Sequence, residues 1–166
     1  PQMIRGGLII GGSGGSGVLL AQDYQTGNWS YPAFYTIGSV SFGLQIGADV
    51  SEIILMVMTT RGIEAMLSTE FKLGGDVALA AGPVGGSAKA QVADILAYGR
   101  SKGAFGGVTV EGALIQPDYE ANNIFYSKDI LPVDILFKRN VSTEKADALR
   151  AALPERGRNV QKLGIE

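Results

Sequence analysis

Residues 71–82 read FKLGGDVALAAG, residues 39–47 read SVSFGLQIG and residues 106–114 read GGVTVEGAL. In each stretch bulky apolar side chains alternate with residues that are mostly tiny. A period of two is typical of β-strands, because successive side chains of a strand point to opposite faces. A strand with one nearly bare face permits either a close neighbour or a sharp bend. The pattern therefore predicts a strongly curved, glycine-rich sheet.

The rest of the sequence favours an α+β fold in which a mainly antiparallel sheet or barrel carries short peripheral helices. The glycine-rich residues 11–17 are expected to form a loop between two strands, and the apolar run 53–58 is expected to be a buried central strand. We expect one domain over residues 1–153 and a tail over 154–166. The other strands are predicted at residues 3–10, 17–22, 33–47, 71–82 and 105–114, and helices at residues 60–67, 118–126 and 142–153. Residues 94–101 and 130–137 are ambiguous between strand and helix.

The composition excludes several classes of function. The 166 residues include no Cys and no His, which rules out thiolate metal sites, cysteine nucleophiles and histidine bases. A net charge of −2 gives no sign of nucleic-acid binding. Since no apolar span reaches about 20 residues, no membrane-crossing helix is expected. These absences count against hydrolytic and zinc chemistry, whereas carboxylate- or lysine-based chemistry stays open. No cofactor is expected.

Three patterns resemble chemical sites. Gly12, Gly14 and Gly17 fit G-x-G-x-x-G, but Gly27, Trp29 and Pro32 leave no room for the helix that a dinucleotide site requires, so a tight turn is favoured. The next pattern has the spacing of a calcium loop and comprises Asp118, Glu120, Asn122 and Asp129. Its alternative is a helix capped by Asp118, with Asn122 bonded to backbone, and we predict no metal.

Carboxylates on the small-residue faces form the third pattern. Asp76 and Glu111 would suit acid–base chemistry if their strands were neighbours. The alternative is that both face solvent or pair with Lys72. We favour the alternative.

Aromatic and basic residues near turns suggest a surface that meets lipid. Trp29 and Tyr31 suit the membrane interface, or else plug one end of the barrel. The basic residues nearest to turns are Arg61, Lys72, Arg100 and Lys102. Arg100 and Lys102, followed by the hydrophobic anchor Phe105, could hold an anionic headgroup. The alternative for all four basic residues is that they are ordinary solvated surface charges. Each surface cation near an anionic bilayer adds about 1 kcal/mol.

Four blocks of sequence stand in a recognisable order and spacing: GGSGGSGVLLAQD, WSYPAFYTIGSVSFGLQIGADVSEIILMVMTTRGIEAML, FKLGGDVALAAGPVG and ILAYGRSKGAFGGVTVEGALI. Together they resemble the SYLF domain, and the resemblance runs from about Gly6 to Tyr126. This lipid-binding domain is also found in yeast actin-patch proteins, and the bacterial branch is the most similar.

The resemblance implies binding to phospholipid, phosphoinositide in eukaryotic members, and no catalysis. Bacterial members are often exported, some as lipoproteins. We therefore expect a periplasmic or lipid-anchored envelope protein whose precursor carries a signal peptide, or a cytoplasmic protein if it does not. In the family an amphipathic segment precedes the point where this sequence begins, so the N-terminal part of the domain is expected to be missing.

The leading hypothesis is a non-enzymatic module that binds anionic phospholipids at a membrane surface. The alternative is a protein-interaction scaffold of the envelope or cytoskeleton that does not bind lipid. A third hypothesis is an enzyme that uses Asp76, Glu111 or Asp118.

Overall fold

The computed structural model describes residues 2–7, 10–42, 47–81, 93–102 and 110–154. The chain divides into two compact units. The first comprises Pro1–Gly17 and Tyr35–Asp118 and is built mainly from strands. The second comprises Val18–Phe34 and Tyr119–Glu166 and contains short helices.

The strands are β1 (Gln2–Gly7), β2 (Ile10–Leu19), β3 (Ala33–Phe42), β4 (Gly47–Val57), β5 (Phe71–Lys72), β6 (Leu79–Ala81), β7 (Ile95–Lys102) and β8 (Leu114–Pro117). They form one eight-stranded sheet in the order β5-β8-β3-β2-β1-β4-β7-β6. The pairings between β1 and β2, β1 and β4, β3 and β8, β4 and β7, and β5 and β8 are antiparallel, whereas β6 and β7 are parallel. The α+β class with a mainly antiparallel sheet is thus confirmed.

The two end strands of this sheet are neighbours along the chain. Seven peptide units lead from Lys72 at the end of β5 to Leu79 at the start of β6, and they span at most about 25 Å. In a flat sheet of eight strands the outer strands would lie about 33 Å apart, since neighbours are about 4.7–4.9 Å apart. The sheet is therefore curved, as the alternating pattern predicts. Its buried side chains include Ile53, Leu73 and Ile95.

The glycine-rich residues 11–17 are a strand and not the expected loop. They belong to β2, which pairs with β1 from Gln2 opposite Ser16 to Gly7 opposite Gly11. Ser13 Oγ and Ser39 Oγ lie 2.6 Å apart, so one hydrogen bond also joins β2 to β3. Glycine adopts an extended backbone when neighbouring strands provide the hydrogen-bond partners of a sheet. The open G-x-G-x-x-G loop that a nucleotide site requires therefore does not form at these residues.

Two predicted strands are interrupted by turns. Of the strand expected at 71–82, residues 71–81 are described and form β5, a turn at 74–76 and β6, and Gly74 has a φ of +77°. Gly112, with a φ of +82°, lies in a turn where the strand 105–114 was expected, so that β8 begins only at Leu114. Residues 103–109 lie outside the described residues. A left-handed backbone conformation at a single glycine interrupts the hydrogen bonding of a strand, even where the alternation of large and small residues in the sequence continues past that glycine.

The helices agree more closely with the sequence. In the first unit α1 (Thr60–Leu67) is capped by Thr59, one residue before the expected cap. The second unit contains α2 (Tyr119–Tyr126), α3 (Pro132–Leu136), a 3₁₀ turn (Glu144–Ala146) and α4 (Asp147–Ala152). Thr143 caps the 3₁₀ turn, and residues 95–102 resolve as strand β7. The tail from residue 155 onward lies outside the described residues.

Gly74 and Gly75 offer a matched test of the turn that joins the two ends of the sheet. A Cβ at Gly74 would have a left-handed backbone and would lie 2.8 Å from Glu111 Cγ. A Cβ at Gly75 would lie 3.4 Å from the flexible Lys72 side chain. We expect Gly74→Ala to lower the free energy of unfolding in urea by about 1–2 kcal/mol, and Gly75→Ala by clearly less. Equal losses would contradict this account of the turn.

Candidate functional site

The central strand β4 is buried on one face only. Ile53 is 1% exposed, whereas its neighbour Ile54 is 65% exposed. Met56 and Met58 continue the exposed series at 45% and 55%. The expectation that residues 53–58 are a buried strand is therefore wrong for every second side chain. We call Ile54, Met56 and Met58 the β4 apolar stripe.

The register of β4 with β7 shows what shares the face of the stripe. Ile54 lies opposite Tyr98 and Met56 opposite Leu96. Side chains at directly opposed positions of an antiparallel pair lie on the same face. Both β7 residues are only partly buried. The apolar surface thus extends across two adjacent strands.

The same register places two of the predicted basic residues. Arg100 lies opposite Glu52 and Lys102 opposite Val50, which are the next two positions of this face along β4. The structure describes the backbone of these two basic residues and not their side chains. Phe105 lies outside the described residues. By backbone position, therefore, the stripe leads into an end of the sheet that carries Arg100 and Lys102, with the exposed Glu52 opposite Arg100.

Arg61 lies beyond the other end of the stripe. Its side chain is 67% exposed, and its Nη2 donates to the Asp76 carbonyl oxygen at 2.6 Å. Its Nε is 3.9 Å from Asp94 Oδ2, and the backbone oxygen of Asp94 accepts a hydrogen bond from Met58 N at 2.8 Å. Arg61 and the last residue of the stripe thus contact the same aspartate.

Asp94 is the polar centre of this end of the sheet. Its carboxylate accepts hydrogen bonds from Thr59 Oγ1 at 2.6 Å and from Ala78 N at 2.8 Å. The Thr59 hydroxyl oxygen in turn accepts from Gly62 N, so Asp94 orients the cap of α1. These two hydrogen bonds, and then Arg61, hold the pKa of Asp94 below its ordinary value, although burial opposes them. A carboxylate in this position stays ionised and fixes β4, β6 and α1 together.

Lys72 and Arg61 meet at the turn between β5 and β6. Lys72 N donates to the Asp76 carboxylate at 2.7 Å, and Arg61 binds the carbonyl oxygen of the same residue. The aliphatic part of Lys72 lies over Gly75. Both residues thus contact Asp76, Lys72 through its backbone amide and Arg61 through its guanidinium. The Asp76 carboxylate is engaged by the backbone of its own turn, which favours a structural role over acid–base chemistry.

Trp29 and Tyr31 lie in the second unit, where they contact the C-terminal helix. Arg150 donates to the Trp29 carbonyl oxygen through Nε and Nη2, and its guanidinium lies 4.2 Å from the centre of the Tyr31 ring. Trp29 Nε1 donates to the Pro154 carbonyl oxygen at 3.0 Å. A cleft of about 580 Å³ opens between this loop and α4. Both aromatic residues thus hold the loop in place and keep part of their surface accessible.

The four residues with calcium-loop spacing do not form a calcium loop. Glu120 and Asn122 are in helix α2. Asn122 is fully buried, and its amide accepts from Phe34 N at 2.9 Å and donates to Phe34 O at 3.1 Å. In the part of the chain that the structure describes, no group of three or more acidic residues is arranged to hold a metal ion. These hydrogen bonds of Asn122 to backbone atoms agree with the alternative to a calcium loop that was predicted from the sequence.

The stripe was not predicted from the sequence. In an uninterrupted apolar run both faces of a strand look alike, so periodicity does not separate Ile53 from Ile54. Two methionines within three residues of each other were the available signal, because Met is common on adaptable binding surfaces.

Comparison with known sequences identifies the family. The sequence model of the Ysc84 family, described as a Las17-binding protein and actin regulator, matches residues 38–156. The chain belongs to this family. The resemblance to the SYLF domain is thereby confirmed, because Ysc84 proteins carry that domain.

Relatives occur in mammals and in yeast. The SH3 domain-containing YSC84-like protein 1 of Rattus norvegicus is 33% identical over 142 residues, which cover 82% of this chain and 42% of the relative. LAS seventeen-binding protein 3 of Saccharomyces cerevisiae is 32% identical over 167 residues, which cover 95% of this chain and 36% of the relative. Protein YSC84 of the same yeast is 32% identical with 35% of its length covered. No solved structure matches the chain.

The Ysc84-family chain spans about two fifths of the length of these curated relatives. The family is one of actin regulators and not of enzymes, as the sequence predicts. Among the described residues no helix is long and apolar enough to cross a bilayer.

The low pKa of Asp94 predicts a specific acid response. A carboxyl group whose pKa is lowered on folding stabilises the native state fully above its ordinary value of 3.8, and that stabilisation is lost as the pH falls through the lowered value. Asp94→Asn is therefore expected to be less stable than the original protein at pH 7. The difference should shrink between pH 5 and pH 2. Urea unfolding across this range measures it.

Glu64→Gln is the control, because Glu64 is an exposed carboxylate of α1. It should leave both the stability at pH 7 and its pH dependence nearly unchanged. A constant difference between Asp94→Asn and the original protein at all pH values would contradict the role given to Asp94.

Proposed function

We propose that the chain is a non-enzymatic module that binds anionic phospholipids at a membrane surface through the β4 apolar stripe. The observation that carries the proposal is the exposure of three alternating apolar side chains on a strand in the interior of the sheet. Such contiguous apolar surface is typical of membrane or protein interaction sites. Basic residues lie at both ends of this stripe by contact or by register.

The magnitudes support reversible attachment that needs both kinds of contact. Complete burial of an Ile or Met side chain contributes about 1.5–3 kcal/mol. Because each member of the stripe is already about half buried, the three together contribute about 3 kcal/mol on docking. Each cation near an anionic surface adds about 1 kcal/mol. Neither contribution alone holds a protein on a bilayer, so the proposal requires apolar and charged contacts together.

The other predicted lipid contacts also belong to the proposal. The proposed headgroup-binding cations are Arg61, Lys72, Arg100 and Lys102. Phe105 is proposed as a hydrophobic anchor beside the last two. Trp29 and Tyr31 are proposed as secondary contacts, because Arg150 and Pro154 already engage them. The compartment is a proposal too. The sequence predicts an exported envelope protein or, without a signal peptide, a cytoplasmic one, and the mechanism requires only an anionic lipid surface.

Two exposed isoleucines give a matched test of the stripe. Ile54 is 65% exposed in the first unit and Ile124 is 70% exposed in the second. We expect Ile54→Ser to weaken binding to vesicles of mixed neutral and anionic phospholipid about five- to tenfold, through lost apolar burial. Ile124→Ser should bind like the original protein. Co-sedimentation over a range of lipid concentrations measures both, and equal affinities of the two variants would overturn the proposed surface.

The charged part of the proposal has its own pair of variants. Arg61 and Lys138 have side chains that are 67% and 59% exposed, and each forms an ion pair with one aspartate carboxylate. Arg61→Gln should reduce binding to anionic vesicles about fivefold at low salt, and this difference should fade at high salt. Lys138→Gln should have little effect. Urea unfolding of Arg61→Gln checks that loss of its contacts with Asp76 and Asp94 has not unfolded the sheet.

A protein partner is the second candidate function. The family description names Las17 binding, and exposed apolar surface serves protein partners as well. If the same stripe binds a protein and not lipid, Ile54→Ser will weaken partner capture while vesicle binding is absent in every variant. Binding of the original protein to anionic vesicles alone separates the two.

A further inference from the structure

Two of the three residues of the β4 apolar stripe carry oxidisable sulfur. Met56 and Met58 are 45% and 55% exposed and are separated by one residue, so both thioethers lie on the face of the stripe. Met66 of α1 is only 5% exposed. Oxidation of methionine follows exposure to the oxidant, and the product is a polar sulfoxide. The structure thus separates accessible and protected methionines within one unit.

We propose that Met56 and Met58 are a reversible oxidation site that controls docking of the stripe. The reagent is a peroxide. A sulfur lone pair attacks one peroxide oxygen, the O–O bond breaks as the S–O bond forms, and the other oxygen leaves as water after a proton shift. Sulfur is oxidised by two electrons and the peroxide is reduced by two. A thiol-dependent methionine sulfoxide reductase reverses the step.

The physical effect is a change of surface, not of fold. A sulfoxide oxygen must stay hydrated, so an oxidised side chain resists entry into an apolar environment. Two such groups leave Ile54 as the one unmodified member of the stripe. Because both side chains already face solvent, their oxidation adds no buried polar group to the core. This inference rests on the proposed function, since it assigns regulation to the same surface.

The chain permits a direct test with hydrogen peroxide. Trypsin separates the methionines, because residues 6–61 contain Met56 and Met58 whereas residues 62–72 contain Met66. We expect the first two to gain one oxygen each at least tenfold faster than Met66. Oxidised protein should bind anionic vesicles about tenfold more weakly and recover after treatment with the reductase. Vesicles present during oxidation should slow the reaction at Met56 and Met58.

The control is the double substitution Met56→Leu with Met58→Leu, which keeps the apolar surface without the sulfur. It should bind vesicles like the original protein and keep that binding after peroxide. Equal oxidation rates at Met56, Met58 and Met66, or binding that survives full conversion of Met56 and Met58 to sulfoxide, would overturn the inference while leaving the proposed function intact. If the unoxidised protein fails to bind vesicles, both are overturned.

Discussion

The short connection between β5 and β6 is the constraint on which the sheet depends. It joins the two ends of the strand order, so the eight strands cannot lie flat. A sheet curved in this way gathers the side chains of its inner face, such as Ile53 and Ile95, into a core. Among the residues that the structure describes, no layer covers the side chains on the other face of β4. The apolar stripe and the core are thus two results of the same curvature.

Asp94 determines how charge is placed beside that stripe. One carboxylate binds the cap of α1, the amide before β6 and the guanidinium of Arg61. The close approach of α1 leaves no space for a side chain at Gly62, whose Cβ would lie 3.0 Å from the Asp94 carbonyl oxygen. Arg61 is consequently held near the stripe by the same contacts that fix the helix. A cation positioned in this way loses less conformational entropy on meeting an anion than a free surface side chain.

Local chemistry made part of this structure predictable from sequence. The short helices, the curvature and the family all followed from particular residues or motifs. The strand boundaries at Gly74 and Gly112 did not, because side-chain alternation runs on through a turn that only the backbone reveals. The stripe was hidden for a related reason. Ile53 and Ile54 are chemically identical, and only the layers around them decide which one is buried. Arg61 and Lys72 were predicted singly, and the turn is what brings the Arg61 guanidinium and the Lys72 backbone amide to Asp76.

The glycine-rich strand β2 has a consequence for strand alignment. Its sequence GGSGGSG repeats every three residues, whereas side chains alternate every two. A shift of β2 by one or two residues would put glycine where Ser13 stands, and the bond to Ser39 would be lost. A shift by three would put Ser16 there on the same face, but it would turn Val18 and every other β2 side chain to the face opposite its present one. A single pair of hydroxyl groups therefore rejects the small slips, and the apolar end of β2 distinguishes the register from the remaining three-residue slip in a segment whose sequence is nearly degenerate.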